Sequence, residues 1–268
     1  MNLEEEFISF DPMANDYDLS RVISDDLLRH LLASFLEINN SDNSIKNILE
    51  IGCGTGRLSR IFAINNFNVT GVDISKNMLE IALIKAQEEK WNFTGIIADA
   101  RNLPFKNNEF DIVYTSHVLH LIKDWEKVIL EALRCSKTKR FVNIDIKRSI
   151  STIDILAKYW EFIIESDFAS QYKIGNKLGA QNAEEIVQYM KTIGFTCIKK
   201  EISTINTIKR TRLIDIIKSK NFSAQRFIPD EIHEITLKYL AENNYFFPTN
   251  DETLELSEKC SIYTFLMK

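Results

Sequence analysis

Asn47-Ile48-Leu49-Glu50-Ile51-Gly52-Cys53-Gly54-Thr55-Gly56-Arg57 is the stretch on which the reading of this chain turns. A short apolar run ends in an acid, and three glycines then alternate with small residues. Beyond Arg57 the apolar residues Leu58, Ile61 and Phe62 fall at helical spacing. The pattern predicts a strand, a tight turn and a helix over 57–65. Glycines at such a turn let the backbone bend sharply and let a ligand approach main-chain atoms that a Cβ would shield. The chain has only 8 glycines in 268 residues, so their clustering at Gly52, Gly54 and Gly56 is a feature and not background. A nicotinamide-dinucleotide fingerprint needs glycine or alanine where Arg57 stands, which counts against an NAD-dependent dehydrogenase.

Working outward, Asn68–Asp73 reads as a second strand with an acid at its tip, about twenty residues past the first glycine, where a carboxylate can take both hydroxyls of a ribose. Ser75 is placed to cap a helix over 76–89, with Met78 and Leu79 on its first turn. A third strand over 93–98 ends in Asp99-Ala100. The run Leu103-Pro104-Phe105 and its polar continuation turn the chain into a fourth strand at 111–116. Asp111 at that strand's start is expected to hold neighbouring backbone donors. A helix over 124–134, capped by Asp124 or a neighbour, and a fifth strand over 140–146 follow.

Taken together these segments resemble the class I S-adenosylmethionine-dependent methyltransferases of the small-molecule type. The resemblance rests on acid-x-Gly-x-Gly-x-Gly at 50–56 and on D-x-S-x-x-M-L-x-x-A at 73–82. It rests further on D-A-x-x-L-P-F-x-x-x-x-F-D at 99–111, on S-x-x-L-H-x-h-x-D-W at 116–125 (h is an apolar residue), and on F-D-x-x-A-x-x-Y-D at 10–18 with Arg21 just after. It implies a Rossmann-like α/β fold: a seven-stranded, mostly parallel sheet with helices on both faces, the last strand antiparallel, and helical lid and cap insertions. One domain would then comprise an N-terminal helical lid (1–46), a cofactor core (47–146), cap helices (151–180) and a helical arm (205–250). The implied cofactor is S-adenosyl-L-methionine, the product S-adenosyl-L-homocysteine, and the partner a small-molecule methyl acceptor. The implied cofactor residues are Tyr17 and Arg21 from the lid, Glu50, and the turn residues Gly52, Cys53, Gly54 and Gly56 at the amino-acid end. Asp73 would take the ribose, Ile74 and Met78 would flank the adenine, and Asp99 and Ala100 would meet its polar edge. Ser116 opens the segment that faces the methyl group. Cys53 reads as a small residue chosen for steric reasons, Met78 has an alternative reading as core filler, and Tyr17 and Arg21 read equally as an N-terminal segment packing on the sheet edge. His117 and His120 are the candidates for a general base, since histidine titrates near neutrality. His30, on an apolar helix face, and His233 are expected to be structural. The family's glycine pair before the fifth strand is replaced by Thr138-Lys139-Arg140, which bears on the turn and not on the chemistry.

The resemblance thins after residue 146. Residues 151–172 carry Tyr159, Trp160, Phe162, Phe168 and Tyr172 at helical spacing, which suggests a cap over a substrate pocket or ordinary core packing. Ala183–Ile193 reads as a helix ended by Gly194, Phe195–Thr204 as a strand, and 207–242 as a helical insertion with Pro229 opening its last helix. Tyr245-Phe246-Phe247-Pro248 reads as a hinge, and Glu255–Met267 as a last strand in one or two pieces. The formal charge of −5 and pI near 5.5 argue against a general nucleic-acid binder. Lys137-Thr138-Lys139-Arg140 reads as a helix C-terminus. The four dispersed cysteines lack zinc-type spacing, so no metal is expected, and reduced thiols suit a cytoplasmic protein. The acidic start is unlike a signal peptide, and no apolar run reaches membrane-spanning length. Oligomeric state is open. The competing function classes are a binding or regulatory protein that keeps the fold without catalysis, and a methyltransferase acting on RNA or protein.

Overall fold

The structure is a computed structural model and describes residues 11–18, 21, 23–39, 44–150, 155–165, 178–220, 222, 225, 228–246 and 252–267. Five strands run parallel to one another: β1 (Asn47–Ile51), β2 (Asn68–Asp73), β3 (Phe93–Ile97), β4 (Ile112–Ser116) and β5 (Phe141–Ile150). β7 (Thr253–Met267) inserts antiparallel between β5 and β6 (Phe195–Lys209), giving a seven-stranded sheet in the order β3-β2-β1-β4-β5-β7-β6. β1 is apolar on both faces because both are covered, with Ile48, Leu49 and Ile51 fully buried.

Alternation along the strands sends neighbouring side chains to opposite layers. Ile48 and Val142 face α1 (Asp25–Asn39) and α2 (Ser59–Ala63), where Leu27, Leu31, Phe35 and Phe62 fill one core. Leu49 and Phe141 face α4 (Trp125–Cys135) and α6 (Ala183–Thr192), where Val128, Ile129, Ile186 and Met190 fill the other. α3 (Lys76–Glu89) closes the β2–β3 side and is capped as expected, Met78 N donating to Ser75 Oγ at 3.1 Å. Asp111 ties two strands together by accepting from Lys46 N and Asn47 N, both at 2.8 Å. Gly194 ends α6 at φ +92°. Lys139 takes φ +51° in the turn before β5, where a glycine would be at ease, and its Nζ donates to Leu133 O at the end of α4.

The structure corrects the expectation in several places. α2 is a short helix from Ser59, because the turn continues through residues 54–58. Asp124 occupies the cap position of α4 without a side-chain bond to the helix; its carboxylate pairs with Lys127 Nζ at 2.7 Å. His30 is exposed beside Asp26 and not on the apolar face of α1. β5, β6 and β7 extend further than the pattern suggested, and β7 is one piece, paired to β6 as far as Lys209↔Thr253. Residues 205–209 therefore belong to a strand and not to a helical arm. The long ends are supported by a third core formed by α5 (Ile155–Glu165), α7 (Arg210–Lys218) and α8 (Asp230–Glu242). Tyr159, Trp160 and Phe162 face this core, where their apolar area finds complementary helix faces. Tyr159 OH meets His233 Nδ1 at 2.8 Å, and Phe162 stacks on Tyr239 at 4.4 Å. Of the remaining aromatic and hinge positions, Phe10, Phe168, Tyr172, Phe247 and Pro248 lie outside the described residues.

Candidate active site at the strand ends

Strand order reverses between β1 and β4, and open α/β sheets hold ligands at the C-terminal ends of strands at such a point. A cleft of about 760 Å3, open to solvent, lies there. Its floor is the glycine turn, where Gly52 N and Cys53 N both donate to Val72 O, at 2.7 and 3.0 Å. Gly52, Gly54 and Gly56 all have left-handed φ, at +70°, +54° and +77°. A Cβ on Gly52 would come within 2.1 Å of Val118, so this glycine lets the β4 loop close on the turn. A Cβ on Gly54 would meet nothing within 4 Å, so the backbone there is bare to the cleft.

Asp73 sits at the tip of β2. One carboxylate oxygen accepts from Gly54 N at 2.8 Å and the other from Ser75 N at 2.9 Å. Burial raises its pKa and these backbone donors pull it back. A carboxylate accepts about four hydrogen bonds, so positions are left for a ligand diol. Ile74 and Met78 supply apolar wall. Asp99 is gripped by Arg101, with Nη2 at 2.8 Å and Nε at 3.1 Å from its oxygens, and this bidentate pair lowers its pKa. Asp99 thus presents a neutralised carboxylate to the cleft.

The opposite wall follows β4. His117 adopts φ +55°, which ends the strand, and its Nε2 accepts from Ile146 N at 3.1 Å. The imidazole thereby extends the ladder to β5 where β4 has run out. An imidazolium would aim a proton at that amide, so the geometry assigns the neutral tautomer with hydrogen on Nδ1, 4.0 Å from Asp145. The His117 ring is partly exposed, and packing against the wall lowers its pKa while Asp145 opposes the shift. The His120 ring lies edge-on at 6.5 Å and lines an adjoining cavity with Asn143, Asp145 and Lys147. Its backbone is pinned from a distant segment, since Leu178 N and Gly179 N both donate to His120 O at 3.2 Å.

Residues 11–18 run beside the cleft between two anchors, and Tyr17 lines it. Asp11 accepts from Ser75 Oγ and from Asn77 Nδ2, the latter at 2.7 Å. Asp18 accepts from Thr55 Oγ1 at 2.6 Å and pairs with Lys85.

Of the residues singled out from sequence, Tyr17, Gly52, Gly54, Asp73, Ile74, Met78, Asp99, Ala100, Ser116 and His117 line the cleft together. Glu50, Cys53, Gly56 and Arg21 stand behind it. Glu50 is buried with Ser59 Oγ and Tyr114 OH, the latter at 2.8 Å, and burial lifts its pKa to about 7. Cys53 is buried against Gly71, and Gly56 packs on Trp91 and Ala82. Arg21 covers the Tyr17 ring at 4.0 Å. Sequence reasoning missed Arg101 and the wall residues Val118, Leu121 and Ile122. Arg101 lies inside a quoted motif, two residues past the acid, and charge spacing could have flagged it.

Residues 49–141 match the family described as "Methyltransferase domain". An uncharacterized protein of Methanocaldococcus jannaschii is 35% identical over 167 residues, covering 60% of this chain and 73% of the relative. A demethylmenaquinone methyltransferase of Thermotoga maritima is 27% identical over 206 residues, covering 69% of this chain and 86% of the relative. The fold matches the crystal structure of the YcgJ protein from Bacillus subtilis with a TM-score of 0.56 at 19% identity, over 90% of this chain and 99% of that one. Among the described residues no helix is long and apolar enough to cross a membrane. With the strand order, the glycine turn and these relatives in hand, the chain belongs to the class I, Rossmann-like S-adenosylmethionine-dependent methyltransferases.

Proposed function

We propose that this enzyme methylates a small-molecule acceptor held where the cleft meets the cavity beside His120. The observation that carries the reading is the cleft itself: bare backbone at Gly54, a half-used carboxylate at Asp73 and an apolar wall at Ile74 and Met78 stand in a row. That sequence of surfaces fits the amino-acid end, ribose diol and flat base of the cofactor. The Gly52–Gly54 backbone would hold the amino-acid end, Asp73 the diol, and Ile74, Met78, Asp99 and Ala100 the base. When bound, S-adenosylmethionine supplies a sulfonium methyl that an O, N or C nucleophile displaces in line, leaving S-adenosylhomocysteine. The chain's own contribution is orientation and exclusion of water, with residues 11–18 beside the opening.

Between the two histidines we assign the base to His120. The acceptor lone pair of His117 is engaged by the Ile146 amide, so His117 positions the wall. His120 lines the adjoining cavity and is held by the backbone at 178–179. The named relative from Thermotoga acts, by its name, on demethylmenaquinone, which supports a small-molecule acceptor here.

The test is incubation of the purified chain with methyl-labelled cofactor and a metabolite extract. Label is expected in compounds that pass a low-mass filter. Label confined to protein or RNA sinks the small-molecule reading. Folded protein that shows no calorimetric binding of S-adenosylhomocysteine sinks the cofactor site.

A further inference from the structure

The cavity beside His120 has a volume of about 720 Å3 and opens to solvent. His117 and Val118 line both it and the cleft, so the two spaces adjoin. One wall is fixed by backbone. Leu178 N and Gly179 N donate to His120 O, and Ala180 N donates to Leu119 O at 3.1 Å. A Cβ on Gly179 would come within 2.0 Å of Leu119 O, so glycine lets the two segments close this far. Two polar side chains on this side hold the wall itself. Gln181 Nε2 donates to Gly179 O at 2.7 Å, and Asn182 Oδ1 accepts from Glu185 N at 2.9 Å at the start of α6.

The remaining polar lining comes from the end of β5. Asn143, Asp145 and Lys147 stand two residues apart, so they share one face of the strand, and all three line the cavity. Asn143 is only 7% exposed, and its Oδ1 accepts from Thr115 Oγ1 at 3.1 Å across the β4–β5 pair. That bond orients the amide and leaves Nδ2 as the spare donor. Nδ2 has no hydrogen-bond partner among the described residues and is not sealed from the cavity. The Asp145 side chain is 23% exposed, and its nearest cationic groups are Lys147 Nζ at 3.5 Å and His117 Nδ1 at 4.0 Å. Both distances exceed a good hydrogen bond, so the carboxylate accepts none among the described residues. The Lys147 side chain is 77% exposed and stands at the rim. Buried polar groups are ordinarily paired. A spare donor and a carboxylate with unused lone pairs, about 6.6 Å apart along one strand, form a recognition surface for a ligand with two polar groups.

We propose that Asn143 and Asp145 select the methyl acceptor: Asn143 Nδ2 donates to an oxygen on it, and Asp145 accepts from a hydroxyl or ammonium group on it and repels anions. This rests on the methyltransferase reading above and deepens it, naming the residues that choose the acceptor and the polar groups they read.

The test uses the full chain saturated with S-adenosylhomocysteine and titrated, by ligand-observed NMR, with 4-methoxybenzylamine, 4-methoxybenzyl alcohol and 4-methoxybenzoate. The three share a ring and an ether oxygen and differ in the head group. The amine or the alcohol is expected to bind with a Kd of about 1 mM, and the benzoate at least tenfold more weakly. A preference for the amine identifies an ammonium acceptor, and a preference for the alcohol a hydroxyl one. Asp145→Asn should narrow the preference over benzoate at least fivefold, with S-adenosylhomocysteine affinity within threefold of wild type. Asp145→Glu keeps the charge and should keep the preference, which separates loss of charge from loss of packing. Asn143→Leu should erase the advantage of 4-methoxybenzylamine over benzylamine, which lacks the oxygen. Benzoate bound as well as the other probes, a preference unchanged in Asp145→Asn, or no probe bound at all overturns the proposal. Wild-type protein that binds no S-adenosylhomocysteine removes the methyltransferase reading itself, a result distinct from these.

Discussion

Glu50 and Asp73 are two carboxylates at the ends of adjacent strands, and their surroundings give them different work. Asp73 keeps a face to the cleft and its oxygens are preset by Gly54 N and Ser75 N. Asp73→Ala is therefore expected to weaken S-adenosylhomocysteine binding at least a hundredfold while circular dichroism stays unchanged; wild-type affinity in that variant would remove Asp73 from the site. Glu50 is sealed beneath the turn with Ser59 and Tyr114, where burial raises its pKa from 4.5 to about 7. The sign follows from linkage. Between those values the folded state holds a proton that the unfolded state releases, so this group's contribution to stability is present below pH 4.5 and is lost as pH rises through about 7. At about 1.4 kcal/mol per pH unit the loss is roughly 3 kcal/mol. Glu50→Gln removes the titration. Urea midpoints at pH 5 and pH 8 should show the variant gaining about 2–3 kcal/mol on wild type across that interval. A parallel pH profile for the two proteins would show that Glu50 stays ionised in the fold.

At the scale of elements, the long β6–β7 pair and the three helices packed on it form a unit with its own core. Ile217 is fully buried there among Leu213, Ile232 and Leu240. Ile217→Ala should destabilise this unit by about 2–4 kcal/mol. Faster hydrogen exchange is expected over 155–165 and 210–242, with S-adenosylhomocysteine affinity within threefold of wild type. An equal loss of affinity would instead tie this core to the cleft. The same elements show what the sequence conveys poorly. β1 and β2 are short apolar runs closed by a glycine turn or an acid, and β4 is one opened by Asp111, so periodicity and punctuation mark them within a residue or two. In β6 the segment Ser203–Ile208 repeats a polar residue followed by two β-branched ones, which gives no clean two-residue alternation. Only the pairing with β7, far away in sequence, decides for strand. Asp73 and Asp99 were legible because each is an acid at or just past the C-terminal end of a strand. His117 was legible as a residue and not as a role, since its partner Ile146 is brought to it by β5.

Across the whole molecule the cleft is bounded by strand ends and loops between Gly52 and Ile122 and by Tyr17 of the segment 11–18. That segment is held at Ser75 and Asn77 by Asp11, and at Thr55 and Lys85 by Asp18. Polar anchors at both ends, with Ala14 buried between them, describe a segment whose opening must release charged contacts. A hydrogen bond to a charged group contributes about 1.5–3 kcal/mol, so losing the Asp18 anchor should raise the open fraction roughly ten- to hundredfold. In Asp18→Ala, amide exchange over 11–18 should accelerate by at least tenfold, and saturating S-adenosylhomocysteine should slow it again if the ligand sits beneath the segment. Affinity should fall only as far as the closed fraction falls, because the apparent Kd is the intrinsic Kd divided by that fraction. Exchange over 11–18 that is as fast in wild type as in the variant, and indifferent to ligand, would show that the segment does not gate the cleft.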